Sequence, residues 1–507
     1  MKKIVSFDVL AKTISKLKAK GRKVVLCHGV FDLLHVGHIK HFKEAKNLGD
    51  VLIVSLTPDK FVNKGPGKPV FNERLRLEAI AALEDVNFVI LNTEPTAVGP
   101  IGKLKPNIYC KGPDYKIHSY DVSGQIRKEA AAIKKIKGKI IYTSDITFSS
   151  SQILNKYGNT YTEQQKSLIR RVKKKYQFSQ IRKLIEGLKK IKVLVIGETI
   201  IDQYVFCEAL GKSGKDPMLV LRDIKMDEYL GGAAAISRHL SDFCNKLSLL
   251  SMIGEKGEFL SYILKKLPKN IKFRYIRKKN SPTIIKKRFL DNVSNSNKVL
   301  GVYTINDEVL RGSDEKLFNK MLKKTIPNYD LIIVSDYGHG LISNKSANII
   351  CQLSKYLALN AQINAANVGH HSMKKYKKAN CVIVNEREIR HEMRDKNSKI
   401  ELLMQKLSID QNIENLIVTR GTEGSLLYDR KTKKLSFCGA YAKTTVDKIG
   451  AGDTMLSILS LCLKSGFDKE LSLLTSSLAA AQSVETIGNS EAINKVKILK
   501  SIENILK

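Results

Sequence analysis

Hydrophobic positions along the chain follow two alternating rhythms. Short β-branched runs at 24–27, 51–56, 87–91, 107–110 and 139–143 are separated by segments of helical spacing, such as Glu73–Glu84 and Ser150–Lys156. Strand-like runs alternating with helices predict βαβ units and a parallel sheet. Residues 1–20 give a short amphipathic helix through Val9, Leu10, Ile14 and Leu17. Residues 158–190 read as a polar connector merging into a helix (Ile181, Leu184, Ile185, Leu188), with the basic stretch Arg170–Lys175 as a solvated face. A second series starts at Val193-Leu194-Val195-Ile196. Its alternating stretches Leu219–Ile224, Ile284–Leu290 and Val299–Thr304 predict a small accessory sheet before strand-helix alternation resumes. The expected organisation is α/β throughout: a domain over 1–157, a helical connector over 158–190 and a second domain over 191–507.

Composition narrows the function classes. At 507 residues the chain is too long for one ordinary domain. No apolar run reaches the ~18 residues that span a bilayer, and an acid at Asp8 interrupts any signal-peptide core. Eight scattered cysteines without a CxxC pair read as reduced thiols, so the expected location is the cytoplasm and no membrane partner is expected. The net charge of +38 is mostly Lys, spread along the whole chain, and no nucleic-acid-binding motif accompanies it. Phosphorylated and nucleotide ligands, rather than specific nucleic acid, are the expected beneficiaries of that field.

Two segments carry chemistry. In the first, a strand-like run breaks at Gly29 and leads through Phe31 and Asp32 to His35-Val36-Gly37-His38, where a helical pattern begins. Imidazoles three residues apart at a helix start share a face beside free N–H groups, a suitable cradle for a phosphate that becomes five-coordinate. Gly37 leaves room for a nucleotide. In the second, Asp447-Lys448-Ile449-Gly450-Ala451-Gly452-Asp453 precedes an apolar helix. Gly450, Ala451 and Gly452 present bare N–H groups to an anion, and Asp453 beside them can accept the proton of an attacking alcohol.

The first segment resembles the cytidylyltransferase-type nucleotidyltransferases, and within them the transferase half of the bifunctional ADP-heptose synthases. Gly49-Asp50, Lys64-Gly65-Pro66-Gly67-Lys68-Pro69, Asn72-Glu73-Arg74, Asp85-Val86, Lys111-Gly112-Pro113-Asp114-Tyr115 and Ser149-Ser150-Ser151-Gln152-Ile153 follow in the family's order, covering roughly 20–157. The resemblance implies a Rossmann-like domain in which His35 and His38 stabilise the transition state. Arg74 and Lys111 hold phosphates, Ser150 and Ser151 bind at a helix N-terminus, and Asp32 orders the loop or contacts ligand.

The second segment resembles the ribokinase-type carbohydrate kinases over about 190–507, implying an α/β domain with a small β lid. By that resemblance Asp202, Gly231, Gly232, Lys286 and Arg288 bind sugar, and Asp453 is catalytic. Asn385 and Glu388 serve magnesium and phosphate, with Glu388 the candidate metal ligand, while Thr419 and Gly421 bind nucleotide. Departures from the family pattern are Ala235 in place of an Asn, Glu198 in place of an Asp, and Asn364–Gly369 where heptose kinases carry Asp-Pro-Lys. The two halves also come in reversed order.

Together the resemblances imply a bifunctional sugar kinase and sugar-phosphate nucleotidyltransferase making an ADP-heptose-like sugar for surface polysaccharide. Its substrates would be sugars, sugar phosphates and nucleoside triphosphates, its cofactors Mg2+ and ATP, with CTP as the alternative for the transferase half. A homodimer through the kinase lid is the candidate assembly. The alternatives are a polyol-phosphate cytidylyltransferase fused to a kinase of different sugar specificity, or a protein whose kinase half is degenerate and only binds ligand.

Overall fold

The computed structural model describes residues 3–118, 121–144, 161–291 and 297–507. The chain forms two compact units, one of residues up to Thr162 together with Val496–Lys507, the other Glu163–Lys495. The helices Glu163–Lys175 and Phe178–Gly187, from the expected connector, therefore group with the second unit. Residues 496–507, expected to end the second domain, group with the first.

The first unit is built on a parallel sheet of β1 (Val24–Gly29), β2 (Val51–Leu56), β3 (Phe88–Leu91), β4 (Ile108–Lys111) and β5 (Lys139–Tyr142), in the order β3-β2-β1-β4-β5. These strands match the β-branched runs closely because both sheet faces are covered, leaving no polar alternation. One face packs with Leu10, Ile14, Ile101 and Ile133, the other with Phe42, Ala45 and Ile80. Helix Glu73–Ala81 stops three residues short of the predicted Glu84, where Leu83 N–H turns back to the Ile80 carbonyl. The helical pattern Ser150–Lys156 lies outside the described residues. Strand order reverses between β1 and β4, so the loops leaving their carboxyl ends flank the crevice where such sheets hold ligands.

The second unit has a nine-stranded sheet of β6 (Lys192–Gly197), β9 (Lys246–Gly254), β10 (Ile271–Lys278), β13 (Leu331–Asp336), β14 (Leu357–Ala361), β15 (Ala379–Asn385), β16 (Ile413–Thr419), β17 (Ser425–Asp429) and β18 (Lys434–Cys438). β10 through β16 run parallel, and β17 and β18 return antiparallel at the edge. The accessory sheet has four strands, β7 (Thr199–Lys212), β8 (Leu219–Gly231), β11 (Ile284–Asp291) and β12 (Asn297–Thr304), in the order β12-β11-β7-β8. β8, β11 and β12 contain the three alternating stretches. β7 escaped the pattern because Thr199–Cys207 are buried one after another, without the period of two.

Candidate functional site

In the first unit the loop after β1 carries the histidine pair. Phe31 takes a left-handed backbone (φ 48°), and its ring lies edge-on to His38 at 5.4 Å and against Phe42 at 4.9 Å. A Cβ on Gly29 would approach the Phe31 ring to 2.9 Å, so this turn needs glycine. His35 caps helix Val36–Asn47: the Gly37 N–H donates to its Nδ1 at 3.1 Å. The His35 and His38 rings stack at 3.9 Å. His35 Nε2 and His38 Nδ1 are buried atoms without a hydrogen-bond partner among the described residues.

Electrostatics keep both rings neutral. Burial, then His35 and Lys64, lower His38 to about 3, and burial with Lys64 lowers His35. Below them, burial and Lys111 lower His41 and His28 to about 4. Lys111, at the end of β4, donates to the His28 carbonyl at 3.2 Å, faces Glu129 at 3.5 Å and covers the Tyr115 ring at 4.5 Å. Burial opposes its charge, yet Glu129 and Tyr115 outweigh that and raise its pKa. One Asp32 oxygen accepts from Phe71 N–H at 3.0 Å while the other is buried without a hydrogen-bond partner among the described residues. Lys64, brought down by burial to about 8 and drawn by Asp32, faces this group.

Lys64, His41 and Tyr115 are site residues to which the motifs assign no role. The clue for Lys64 was two lysines in a glycine-proline loop. Arg74 is not brought to the pair: its side chain is 87% exposed and bridges to Glu78 along its own helix. Its neighbour Arg76 turns inward, bonding the Val30, Thr57 and Phe71 carbonyls and Asp59. Ser150 and Ser151 lie outside the described residues. The ligand atoms of Cys27, Cys110 and His41 lie within 4.8 Å of one another, but His41 Nδ1 is bonded to Thr143 and the Lys111 charge presses on both Cys27 and His41. That charge makes the cluster a poor cation site.

In the second unit the carboxyl ends of the parallel strands converge on Asp453. Gly450 (φ 90°) starts helix Ala451–Lys464, and beside Gly452 there is open space for a Cβ, hence for an anion. Asp453 accepts from the Tyr337 hydroxyl at 2.8 Å. Burial pushes its carboxyl up to about 7, with Asp202 adding to the rise and Tyr337 and Lys286 opposing it. Asp202 pairs with Arg288 at 2.6 Å. A Cβ on Gly231 would fall 2.1 Å from Asp202 Oδ2, so glycine there makes room for the carboxylate. Gly232 (φ 60°) turns the chain into the next helix, in which Ala235 is fully buried. Lys286 lies over the Tyr337 and Tyr303 rings at 5.4 and 5.2 Å.

Asn385 and Glu388 form a reciprocal cap of helix Glu386–Met393, each side chain accepting from the other's backbone N–H at 2.8 Å. Burial lifts Glu388 to about 7, and the charge of Asp453 lifts it further. Both Glu388 oxygens accept backbone N–H groups, from Ile363 at 3.3 Å and Asn385 at 2.8 Å, and a cation beside them would offset the charge of Asp453. Thr419 pairs in register with Asn385 at the end of β16, and Gly421 (φ 59°) follows in the next turn. Tyr337, within the segment Asp336-Tyr337-Gly338, is a site residue to which the motif assigns no role. It sits just past the carboxyl end of β13, where a doubly wound sheet collects ligand-facing groups.

The sequence pattern of the cytidylyltransferase-like family matches residues 26–156. The bifunctional protein HldE of Citrifermentans bemidjiense is 37% identical over 161 residues, 31% of this chain and 32% of that protein. HldE of Aliarcobacter butzleri is 40% identical over 139 residues, 27% of this chain and 29% of that protein. The matches thus span about a third of those relatives. The solved phosphofructokinase-2 from Escherichia coli, in complex with substrates and products, covers 62% of this chain and 100% of its own at a TM-score of 0.51 and 12% identity, a likeness of fold. The pfkB family carbohydrate kinase pattern matches residues 190–495. With the Asp453 site lying inside that span, the chain belongs to the pfkB family of carbohydrate kinases and carries a cytidylyltransferase-like domain ahead of the kinase.

Proposed function

We propose that the protein phosphorylates a sugar at the Asp453 site and joins a sugar 1-phosphate to a nucleotide at the His35–His38 site. The observation that carries this reading is the presence, in one chain, of two anion cradles of different design. One ends in imidazole nitrogens with no hydrogen-bond partner among the described residues, the other in a carboxylate poised near neutrality.

At the histidine site a phosphate oxygen of the sugar phosphate attacks the α-phosphorus of a nucleoside triphosphate, and the bond to pyrophosphate breaks. His35, its Nδ1 occupied by Gly37, offers Nε2–H to the charge that grows on the α-phosphate, with His38 beside it. Lys64 and Lys111 supply positive charge, and Asp32 orders the loop. No base is needed, because the attacking phosphate is already ionised.

At the kinase site Asp453 takes the proton of the sugar hydroxyl as that oxygen bonds to the γ-phosphorus of ATP. ADP leaves, and the N–H groups of Gly450 to Gly452 hold the transferred charge. Asp202, Arg288 and Gly231 form the sugar side, and Thr419 and Gly421 the nucleotide side. Mg2+ would sit by Glu388 and neutralise phosphate charge.

The resemblance to bifunctional heptose enzymes makes heptose 7-phosphate and heptose 1-phosphate the substrates of choice, with ATP ahead of CTP as nucleotide donor. Exposed Leu219, Ile224, Met226, Leu300 and Val302 on the accessory sheet support a homodimer through that lid. Among the described residues no helix is long and apolar enough to cross a membrane. All eight cysteines are free and buried, which supports a cytoplasmic setting.

The test is a matrix of nucleoside triphosphates against sugar 1-phosphates read by pyrophosphate release, beside a sugar panel with ATP read by ADP formation. Turnover in both arms is expected. ATP binding with no ADP formed from any sugar would establish the ligand-binding reading of the kinase half instead.

A further inference from the structure

The helix Lys495–Leu506 buries Ile498, Leu499, Ile502, Ile505 and Leu506, and residues 496–507 belong to the same compact unit as the histidine pair. Two of its contacts fall on one loop. Asn504 Nδ2 donates to the Lys64 carbonyl at 2.9 Å, across 440 positions of sequence. A Cβ on Gly65 would lie 3.1 Å from Ser501 Oγ and 3.3 Å from Ser501 Cα, so helix backbone and loop touch. Gly65 has φ 98°, a conformation that lets the loop turn under the helix. One turn earlier, Lys500 lies 3.7 Å from Asp121, which itself caps the head of helix Gln125–Lys135 through the Ile126 N–H. The loop so held carries Lys64, whose charge lowers His35 and His38 and is favoured by Asp32.

We propose that the helix Lys495–Leu506 is a positioning element of the nucleotidyl-transfer site, with Asn504 and Ser501 fixing the Lys64–Gly65 turn so that Lys64 meets the triphosphate beside the histidine pair. This rests on the transferase reading above. Lys64 supplies a charge that binds polyphosphate before reaction, so loosening its loop weakens nucleotide binding more than turnover. Neither Asn504 nor Ser501 touches substrate.

The test uses the full chain with Asn504→Asp, which removes the donor at constant shape, and Asn504→Gln, which keeps one. A lost hydrogen bond of ordinary strength predicts that Asn504→Asp raises the KM for ATP in pyrophosphate release about three- to tenfold, with kcat held within about twofold. Amide exchange over residues 62–70 should speed up by a similar factor, and Asn504→Gln should recover most of both. Unchanged KM and unchanged exchange in Asn504→Asp would overturn the proposal. So would an equal loss of ADP formation at the kinase site, which reports general damage. If the wild-type protein releases no pyrophosphate with any substrate pair, the transferase reading fails by itself. Exchange over 62–70 in wild-type and Asn504→Asp protein then decides whether the helix holds the loop.

Discussion

The Gly37 N–H donates to Nδ1 of His35 at 3.1 Å, and that bond places the ring proton on Nε2, a nitrogen with no hydrogen-bond partner among the described residues. One imidazole therefore caps its helix through one nitrogen and presents a donor through the other. His35→Asn should keep the cap, because Asn caps helices well, and lose the donor. Nucleotidyl transfer is expected to fall by about 10²–10³, the usual loss for one transition-state donor, while the thermal unfolding midpoint stays near wild type. His38→Ala should cost transfer a similar factor and leave phosphorylation intact. Steady-state pyrophosphate and ADP assays on the same preparations check both.

Phosphorylation should require ionised Asp453. With its carboxyl raised to about 7, kcat/KM is expected to climb as pH rises through that value and then level off. Glu388 is also raised to about 7, so its ionisation falls on the same limb. The Tyr337 hydroxyl stabilises the carboxylate, hence Tyr337→Phe should move the limb to higher pH. Asp453→Asn should bind ATP and lose turnover. A pH–rate profile that is flat from 5.5 to 8.5 (about 1.5 units either side) would remove Asp453 as the base.

Gly231→Ala tests the sugar side without backbone strain, since φ there is −110°. The new Cβ would lie 2.1 Å from Asp202 Oδ2 and force that carboxylate off Arg288. The expected result is a rise of roughly tenfold or more in the sugar KM, as for a lost charge-assisted bond, with ATP affinity unchanged in direct titration.

Lys111 and Glu129 form a buried pair at 3.5 Å, and Glu129→Gln would leave the ammonium uncompensated. A loss of about 3–5 kcal/mol in unfolding free energy at pH 7 is expected. Glu129 has a lowered folded pKa, so its contribution is present above the ordinary glutamate value and disappears as pH falls through the folded one. The variant and the wild-type protein should therefore converge in acid, a trend that urea titrations across pH can follow.

The sheets were legible in the sequence where burial is two-sided or alternation clean: β1 and β2 begin where the β-branched runs begin. β7 was not, because nine buried positions in a row carry no period. The histidine pair and the Asp453 nest stood out because glycine punctuates both. Tertiary partners were hidden. Nothing in Asn72-Glu73-Arg74-Leu75-Arg76 says that Arg76 is swallowed and Arg74 exposed, since the difference lies in where the Val30 and Thr57 carbonyls wait. Likewise the apolar stripe of helix Lys495–Leu506 announces a buried face but not which unit it covers.

That last helix bears on how the protein is made. Synthesis proceeds from the N-terminus, and domains ordinarily finish folding while later ones are still being translated. Here the unit begun by the earliest strands includes residues 496–507, so its last helix emerges only after the kinase has been translated. Chains abandoned midway would lack the helix that packs on the Lys64–Gly65 turn.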